Sequence, residues 1–307
     1  MSRRGWALFV ALGIIWGLPY LLIRVSVREV SPALLVFVRT AGGAALMAPV
    51  AFRRGALRTL LRHWKPVVVY SAVEIAGPWF LLFNAERRLS SSLAGLLVAA
   101  VPIIGAVLAQ LTGTDHLDRR RLLGLALGIA GVAALVGVDV GGSSLLSALS
   151  ILVVAGGYAL GPWILGRYLT GLPAMALVAA SLVLCAVVYA PIVPFALPAR
   201  TLSTEVVASM VALTVVCTVA AFLVFFALIA EVGALRATVI TYVNPAVAVL
   251  LGVGVLGEHF GVGMAVGFVL ILGGSFLATR PLRTTALAAA PATGQAAAQD
   301  VSVADSR

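Results

Sequence analysis

The chain has 307 residues, of which 62% are hydrophobic and only 10% charged, with a formal net charge of +10. Soluble domains run at roughly 45–50% apolar and about 25% charged, so this composition excludes a water-soluble fold and points to lipid as the solvent. The basic residues sit in short connections between apolar runs and not on one polar face; that excludes nucleic acid as a partner and is how orientation is encoded in a bilayer.

A membrane-spanning helix needs roughly 20 mostly apolar residues. In chain order, charges, Pro/Gly pairs and Ser clusters cut the sequence into ten such runs, at about 6–27, 32–52, 65–85, 90–112, 121–138, 147–166, 172–195, 204–229, 235–256 and 260–279. The alternation expected of a membrane β-barrel is absent. The first run follows a basic start but shows no small-x-small cleavage site, so it reads as a retained helix and not a signal peptide. The second carries Arg39, and the third Tyr70, Glu74, Gly77, Pro78 and Trp79. The fourth holds Pro102 and Gln110, and the ninth Tyr242, Asn244 and Pro245. Gly124, Gly128 and Gly131 in the fifth and Gly263, Gly267 and Gly274 in the tenth have small-xxx-small spacing or nearly so, which lets helices approach closely. Cys185 and Cys217 lie inside apolar runs without a CxxC or Cys/His neighbourhood, and read as small hydrophobes with no metal or disulfide role. Residues 281–307 have no apolar face and read as a disordered cytoplasmic tail.

Ten spans put both termini on one side. Arg3, Arg4, Arg53, Arg54, Arg58, Arg62, Lys65 and Arg119–Arg121 fall on that side, against Arg28, Arg87, Arg88 and Arg200 on the other. The bias predicts cytoplasmic N- and C-termini in the cell (inner or plasma) membrane.

One ungapped shift brings Gly13 onto Gly156, Pro19 onto Pro162, Arg24 onto Arg167, Pro102 onto Pro245, His116 onto His259, Gly124 onto Gly267 and Gly131 onto Gly274. Chance pairs of Ala, Leu or Gly are expected in so biased a composition; matched Pro, Arg and His are not. The chain therefore divides into a first five-helix repeat, 1–142, and a second, 143–280. Five is odd, so the second copy enters the membrane from the opposite side. The predicted fold class is all-α integral membrane, ten transmembrane helices as two inverted five-helix repeats, the arrangement secondary transporters use for alternating access.

At these residues the chain resembles the EamA-type family of the drug/metabolite transporter superfamily. The similarity lies in Ile15-Trp16-Gly17, Arg39, Ser91-Ser92-Leu93-Ala94 leading to Pro102, Gly233-Ala234-Leu235-Arg236-Ala237, Tyr242-Val243-Asn244-Pro245, Gly257-Glu258 and the Gly267 to Gly274 run. Gly113-Thr114-Asp115 stands where the family has a Gly-Glu pair. The resemblance covers residues 6–279 and implies export of amino acids, related metabolites or drug-like compounds.

The repeat also sorts residues. A polar residue inside a span without a polar counterpart in the other half is a candidate for substrate contact. Glu74 corresponds to Cys217; an intramembrane carboxylate is costly and functional by default, and it is the candidate for carrying a proton. Tyr70 and Pro78 flank it at helical spacing. Arg39 corresponds to Leu182 and lies roughly 12 Å from one face, while Glu74 lies roughly 14 Å from the other; in a core of about 30 Å they sit at similar depths, so Arg39 is in reach of Glu74 or of a substrate carboxylate. Snorkelling to the interface is the alternative. Asn244, corresponding to Val101, and Tyr242 make a polar patch, Trp79 an aromatic wall, and Pro102 and Pro245 helix kinks that line a cavity or serve packing. Glu86, Arg87, Arg88, Glu231 and Glu258 fall at helix ends and read as solvated charges.

No HExxH, no GxSxG with a partner His and no mid-span Asp pair is present, and His63, His116 and His259 fall in loops or helix ends. No catalytic residue, metal ligand or cofactor is therefore expected, and no P-loop supports ATP as the driver. The expected partners are a small-molecule substrate, the lipid bilayer and protons, with the chain a monomer or homodimer. A lipid or amphiphile flippase or scramblase, or a non-transporting structural protein, is the alternative.

Overall fold

The computed structural model describes residues 2–52, 56–113, 118–139, 144–233 and 237–279. Among them nine helices are long and apolar enough to cross a membrane: α1 Arg3–Ser26, α2 Pro32–Ala51, α3 Trp64–Ala85, α4 Ser91–Leu111, α5 Arg119–Gly137, α6 Leu145–Tyr168, α7 Ala174–Ala196, α8 Thr204–Val232 and α10 Val262–Thr279. Between α8 and α10 lies a shorter apolar helix, α9 Ile240–Leu256. The predicted ninth span starts at residue 235, and residues 234–236, Asp115, His116 and the predicted tail lie outside the described residues. No strand occurs among the described residues. The protein is a multi-pass helical membrane protein.

Each entry into the bilayer needs its free amide groups satisfied. Ser2, Ser90, Asp118 and Ser203 do this for α1, α4, α5 and α8, each accepting from the N–H three residues on, at 2.9, 3.2, 2.8 and 3.4 Å. Short polar side chains just before apolar runs are the N-cap signature.

Helices α5 and α10 meet through their glycines. A Cβ on Gly124 would lie 2.7 Å from the Gly274 carbonyl oxygen, one on Gly274 2.5 Å from the Gly124 carbonyl oxygen, and one on Gly267 3.1 Å from that of Gly131. Residue number rises along α5 as it falls along α10, so the two helices cross antiparallel. The contacts also exchange: Gly124 with Gly274 becomes Gly267 with Gly131 when each residue is replaced by its counterpart. Because backbone faces backbone, no rotamer can relieve an added methyl. Gly124→Ala and Gly274→Ala are each expected to cost about 1–3 kcal/mol by overpacking, read as a lower unfolding temperature of purified protein. Gly105→Ala, with nothing within 4 Å of its Cβ, serves as the neutral control.

Four other interruptions, in two corresponding pairs, are arranged in register with the repeat. Helix α3 widens into a π-turn at Ala72–Ala76, and α8 does so at Val215–Ala220, the corresponding stretch. Helix α4 breaks at Ala99–Ala100, so that Pro102 opens a new helical segment, and α9 changes from a 3₁₀ turn over Thr238–Tyr242 to an α-helix from Asn244, so that Pro245 does the same. Proline lacks the N–H that would continue a helix but fits a first turn. At the α4 break the Ser275 hydroxyl of α10 donates to the Ala99 carbonyl at 3.4 Å, and beside the α9 break the Tyr242 hydroxyl donates to the Ser275 carbonyl at 3.2 Å.

Candidate functional site

A π-turn leaves carbonyl groups out of the i→i−4 ladder, and such turns recur at functional sites. Each is met by the corresponding helix of the opposite half. On α3, Tyr189 of α7 donates its hydroxyl to the Ala76 carbonyl at 2.9 Å, and the hydroxyls of Ser71 and Ser181 are hydrogen-bonded at 2.9 Å. On α8, it is Arg39 of α2 that arrives. Its Nε donates to the Thr218 hydroxyl at 2.9 Å and one terminal nitrogen to the Cys217 carbonyl at 3.3 Å.

The Arg39 guanidinium also lies face-on over Trp79, 3.8 Å from the ring centroid, and 5.9 Å from that of Phe83. Trp79 and Phe83 are themselves stacked. Arg39 is only 6% exposed, which rules out snorkelling. Among the described residues no carboxylate lies within ion-pair distance of it. The predicted reach from Arg39 to Glu74 is therefore not what the structure shows: the cation is spent on α8 and on two aromatic rings. A buried guanidinium held by one hydroxyl, one carbonyl and two ring faces keeps donors available for an anion.

Glu74 sits in the π-turn of α3, half-buried, with Oε2 buried and without a hydrogen-bond partner. What makes room for it is α6. A Cβ on Gly161 would fall 1.7 Å from Glu74 Oε2, and one on Gly157 would fall 2.5 Å from the Val73 carbonyl oxygen. This Gly157-x-x-x-Gly161 pair lets α6 lie against the turn. The corresponding residues of the other half are Leu18 for Gly161 and Cys217 for Glu74. Where Glu74 meets Gly161, the corresponding positions of the other half carry the smaller Cys217 and the larger Leu18. Tyr70 lies within electrostatic reach of Glu74, and Tyr158 within reach of Glu74, Arg39 and Glu86.

The remaining predicted residues are placed differently. Asn244 begins the α-helical part of α9, with Oδ1 buried and unpaired, and Pro245 is buried. Tyr242 is not grouped with Asn244 as a ligand patch; besides Ser275 it engages the Thr279 hydroxyl at 2.6 Å, tying α9 to α10. A cleft of about 610 Å³ between α1, α8 and α9 carries Arg28 and Glu205, and none of the predicted residues lines it.

Two of the charges read as solvated are not. Glu86 is 0% exposed, because it closes α3 against α1, where the Arg24 guanidinium donates to its main-chain carbonyl. Glu258 is half-buried. Its carboxylate accepts the Ser91 and Ser92 amides at 2.7 and 2.9 Å and the Ser92 hydroxyl at 2.6 Å, capping the start of α4 from the far side. Gly257, at φ +66°, turns the chain back so that this is possible, and the Glu258 amide donates to the Gly252 carbonyl at 3.0 Å. Only Glu231 and the two arginines are exposed, Glu231 meeting the Ser2 hydroxyl at 2.5 Å and Arg4 at 4.0 Å. At the Glu86 end a further tie joins the α1–α2 link to α8: Glu29 accepts the Ser203 amide at 2.8 Å, which holds its carboxyl below the usual range.

The residues that sequence reasoning missed are thus Gly161, Thr218, Tyr158 and Glu86. An aromatic or acid with an aliphatic counterpart was a usable signal for Tyr158 (Ile15) and Glu86 (Ile229). Gly161, opposite Leu18, needed attention to glycines that the repeat does not preserve.

Comparison with known proteins agrees with this architecture. The model of the EamA-like transporter family matches residues 3–137 and 145–280. The chain is 30% identical over 277 residues to the uncharacterised inner membrane transporter YedA of Escherichia coli (strain K12), covering 82% of each. It is 24% identical over 296 residues to a probable amino-acid metabolite efflux pump of Salmonella typhimurium (strain LT2), covering 90% of this chain and 95% of that one. A solved crystal structure, described only as that of a protein, superposes with a TM-score of 0.64 at 22% identity, over 91% of this chain and 98% of the other, which is a likeness of fold. Two family matches in tandem over nearly the whole of the described bundle place this chain in the EamA-like transporter family.

Proposed function

We propose that the chain is a secondary transporter that exports small carboxylate-bearing metabolites, amino acids and their relatives among them, by alternating access between two inverted halves, with Glu74 exchanging the driving proton. The observation that carries this reading is Arg39. It is a buried guanidinium between the halves with, among the described residues, no carboxylate within ion-pair distance, and a substrate carboxylate supplies the charge-assisted, bidentate partner its fork accepts. The antiparallel crossing of α5 and α10, with its exchanged glycine contacts, supports the inversion, because repeats related by an axis along the membrane normal would run parallel there. The basic connections favour cytoplasmic termini, which turns the Glu86 end outward. A small-molecule efflux pump among the relatives agrees with the direction.

Coupling at Glu74 is tested in proteoliposomes with an imposed pH gradient and a panel of labelled amino acids. Wild-type protein should accumulate substrate against its gradient. Glu74→Gln should abolish that accumulation while leaving downhill exchange of the same substrate. Equal gradient dependence in the two proteins would rule Glu74 out.

A further inference from the structure

We propose that Glu86 is a second proton-binding site, seated at the Arg24 end of the bundle, neutral while that end is packed shut and ionised when it opens, its proton passing to the bathing solution. The proposal goes beyond the transport reading and does not use Glu74.

Three observations carry it. Glu86 has no solvent exposure, and neither carboxyl oxygen has a hydrogen-bond partner. The Arg24 guanidinium is at the same residue yet donates to its main-chain carbonyl. An ionised carboxylate next to a guanidinium pairs with it, and a buried charge left alone is strongly unfavourable; a carboxyl left unpaired in that setting is the neutral acid. Third, the carboxyl oxygens of Glu258, within electrostatic reach, take two amide donors at a helix start and a hydroxyl, whereas those of Glu86 take none.

The groups facing Glu86 come from every side. Arg24 and Tyr20 lie on α1, Arg39 on α2, Tyr158 on α6 and Glu258 on the α9–α10 link. Burial is the main influence and pushes the carboxyl well above the ordinary range; Arg24 opposes and Glu258 adds to it. Opening this end breaks the Arg24 contact and admits water to Glu86. Proton loss is then linked to opening, and acid favours closure.

The test uses the full chain in nanodiscs, where both faces are accessible. Leu89, 3% exposed and one turn beyond Glu86, is replaced in Leu89→Cys and reacted with a charged maleimide between about pH 5.5 and about pH 8.5. Rates are normalised to Arg87→Cys, an exposed position on the same turn. Labelling at position 89 should rise roughly tenfold across that range. It should stay at its acid level when Glu86→Gln is added, and should rise as before when Glu74→Gln is added instead, which separates this proposal from the coupling role of Glu74. A flat pH profile in the parent, or an unchanged rise with Glu86→Gln, overturns it. A second measurement needs no substitution: a hydrophobic carbodiimide, which reacts with protonated buried carboxyls, is applied to the wild-type protein and the adduct located by fragmentation. An adduct at Glu86 that fades as pH rises is expected; an adduct on Glu258 with none on Glu86 overturns the proposal.

Discussion

Arg39→Leu, which installs the residue that Leu182 provides at the corresponding point of the second half, should weaken the binding of carboxylate-bearing substrates about ten- to a hundredfold, the worth of one charged hydrogen-bonded contact of about 1.5–3 kcal/mol. Fold stability should move little or rise. The guanidinium is buried without a carboxylate partner, and exchanging a desolvated charge for a well-packed apolar group is often neutral or favourable. Stability and binding therefore separate in one experiment. A thermal-shift titration with amino acids should show a Leu variant that unfolds no earlier than wild type and gains nothing from ligand. Arg39→Lys keeps the charge but loses the planar fork and the stack on Trp79, so its affinity should fall between the two. Undiminished binding by Arg39→Leu would remove the arginine from the site.

The second large effect concerns the volumes exchanged between the halves. Gly161→Leu places a side chain where Glu74 Oε2 now lies, 1.7 Å from the first added atom, so α6 must part from the π-turn or the carboxylate must leave its place. A loss of roughly 1–3 kcal/mol is expected. Glu74→Cys in the same chain rebuilds the Leu18 and Cys217 combination that the other half carries. The double variant should regain most of the lost stability, an interaction of about 0.5–3 kcal/mol between the two sites in a double-mutant cycle on unfolding temperature. Transport driven by a pH gradient should stay absent in both variants. Additive losses would mean that the fit of glycine to glutamate is incidental.

Much of the fold was legible because a bilayer leaves few solutions. Helix lengths and the Gly124 to Gly274 seam follow from composition, spacing and the repeat. The π-turn at Ala72–Ala76 was not legible. Pro78 follows the turn in α3, but the matching turn in α8 has Ala221 at that position and is supported by the Thr218 hydroxyl, which donates to the Leu213 carbonyl at 2.9 Å. At the candidate site, the asymmetry rule named Arg39, Trp79 and Glu74 but gave no account of which neighbours each would meet. Depth along a helix axis is a one-dimensional measure; which neighbour a side chain meets depends on rotation about that axis, and Arg39 turns to α8. The same limit misplaced Glu86 and Glu258. Helix ends read as water-exposed by position alone, whereas the packing of α1 on α3 and the left-handed turn at Gly257 bury one and enlist the other as a cap.

The seam between α5 and α10 bears on how the halves can move. At Gly124 and Gly274 main chain rests on main chain, and sliding by even one residue would drive a side chain into a carbonyl. The remaining freedom is to roll. In the alternating-access reading proposed above, the seam serves as an axle of fixed length, and the swing of the two halves falls to the π-turns and proline breaks, where the hydrogen-bond ladder is already open.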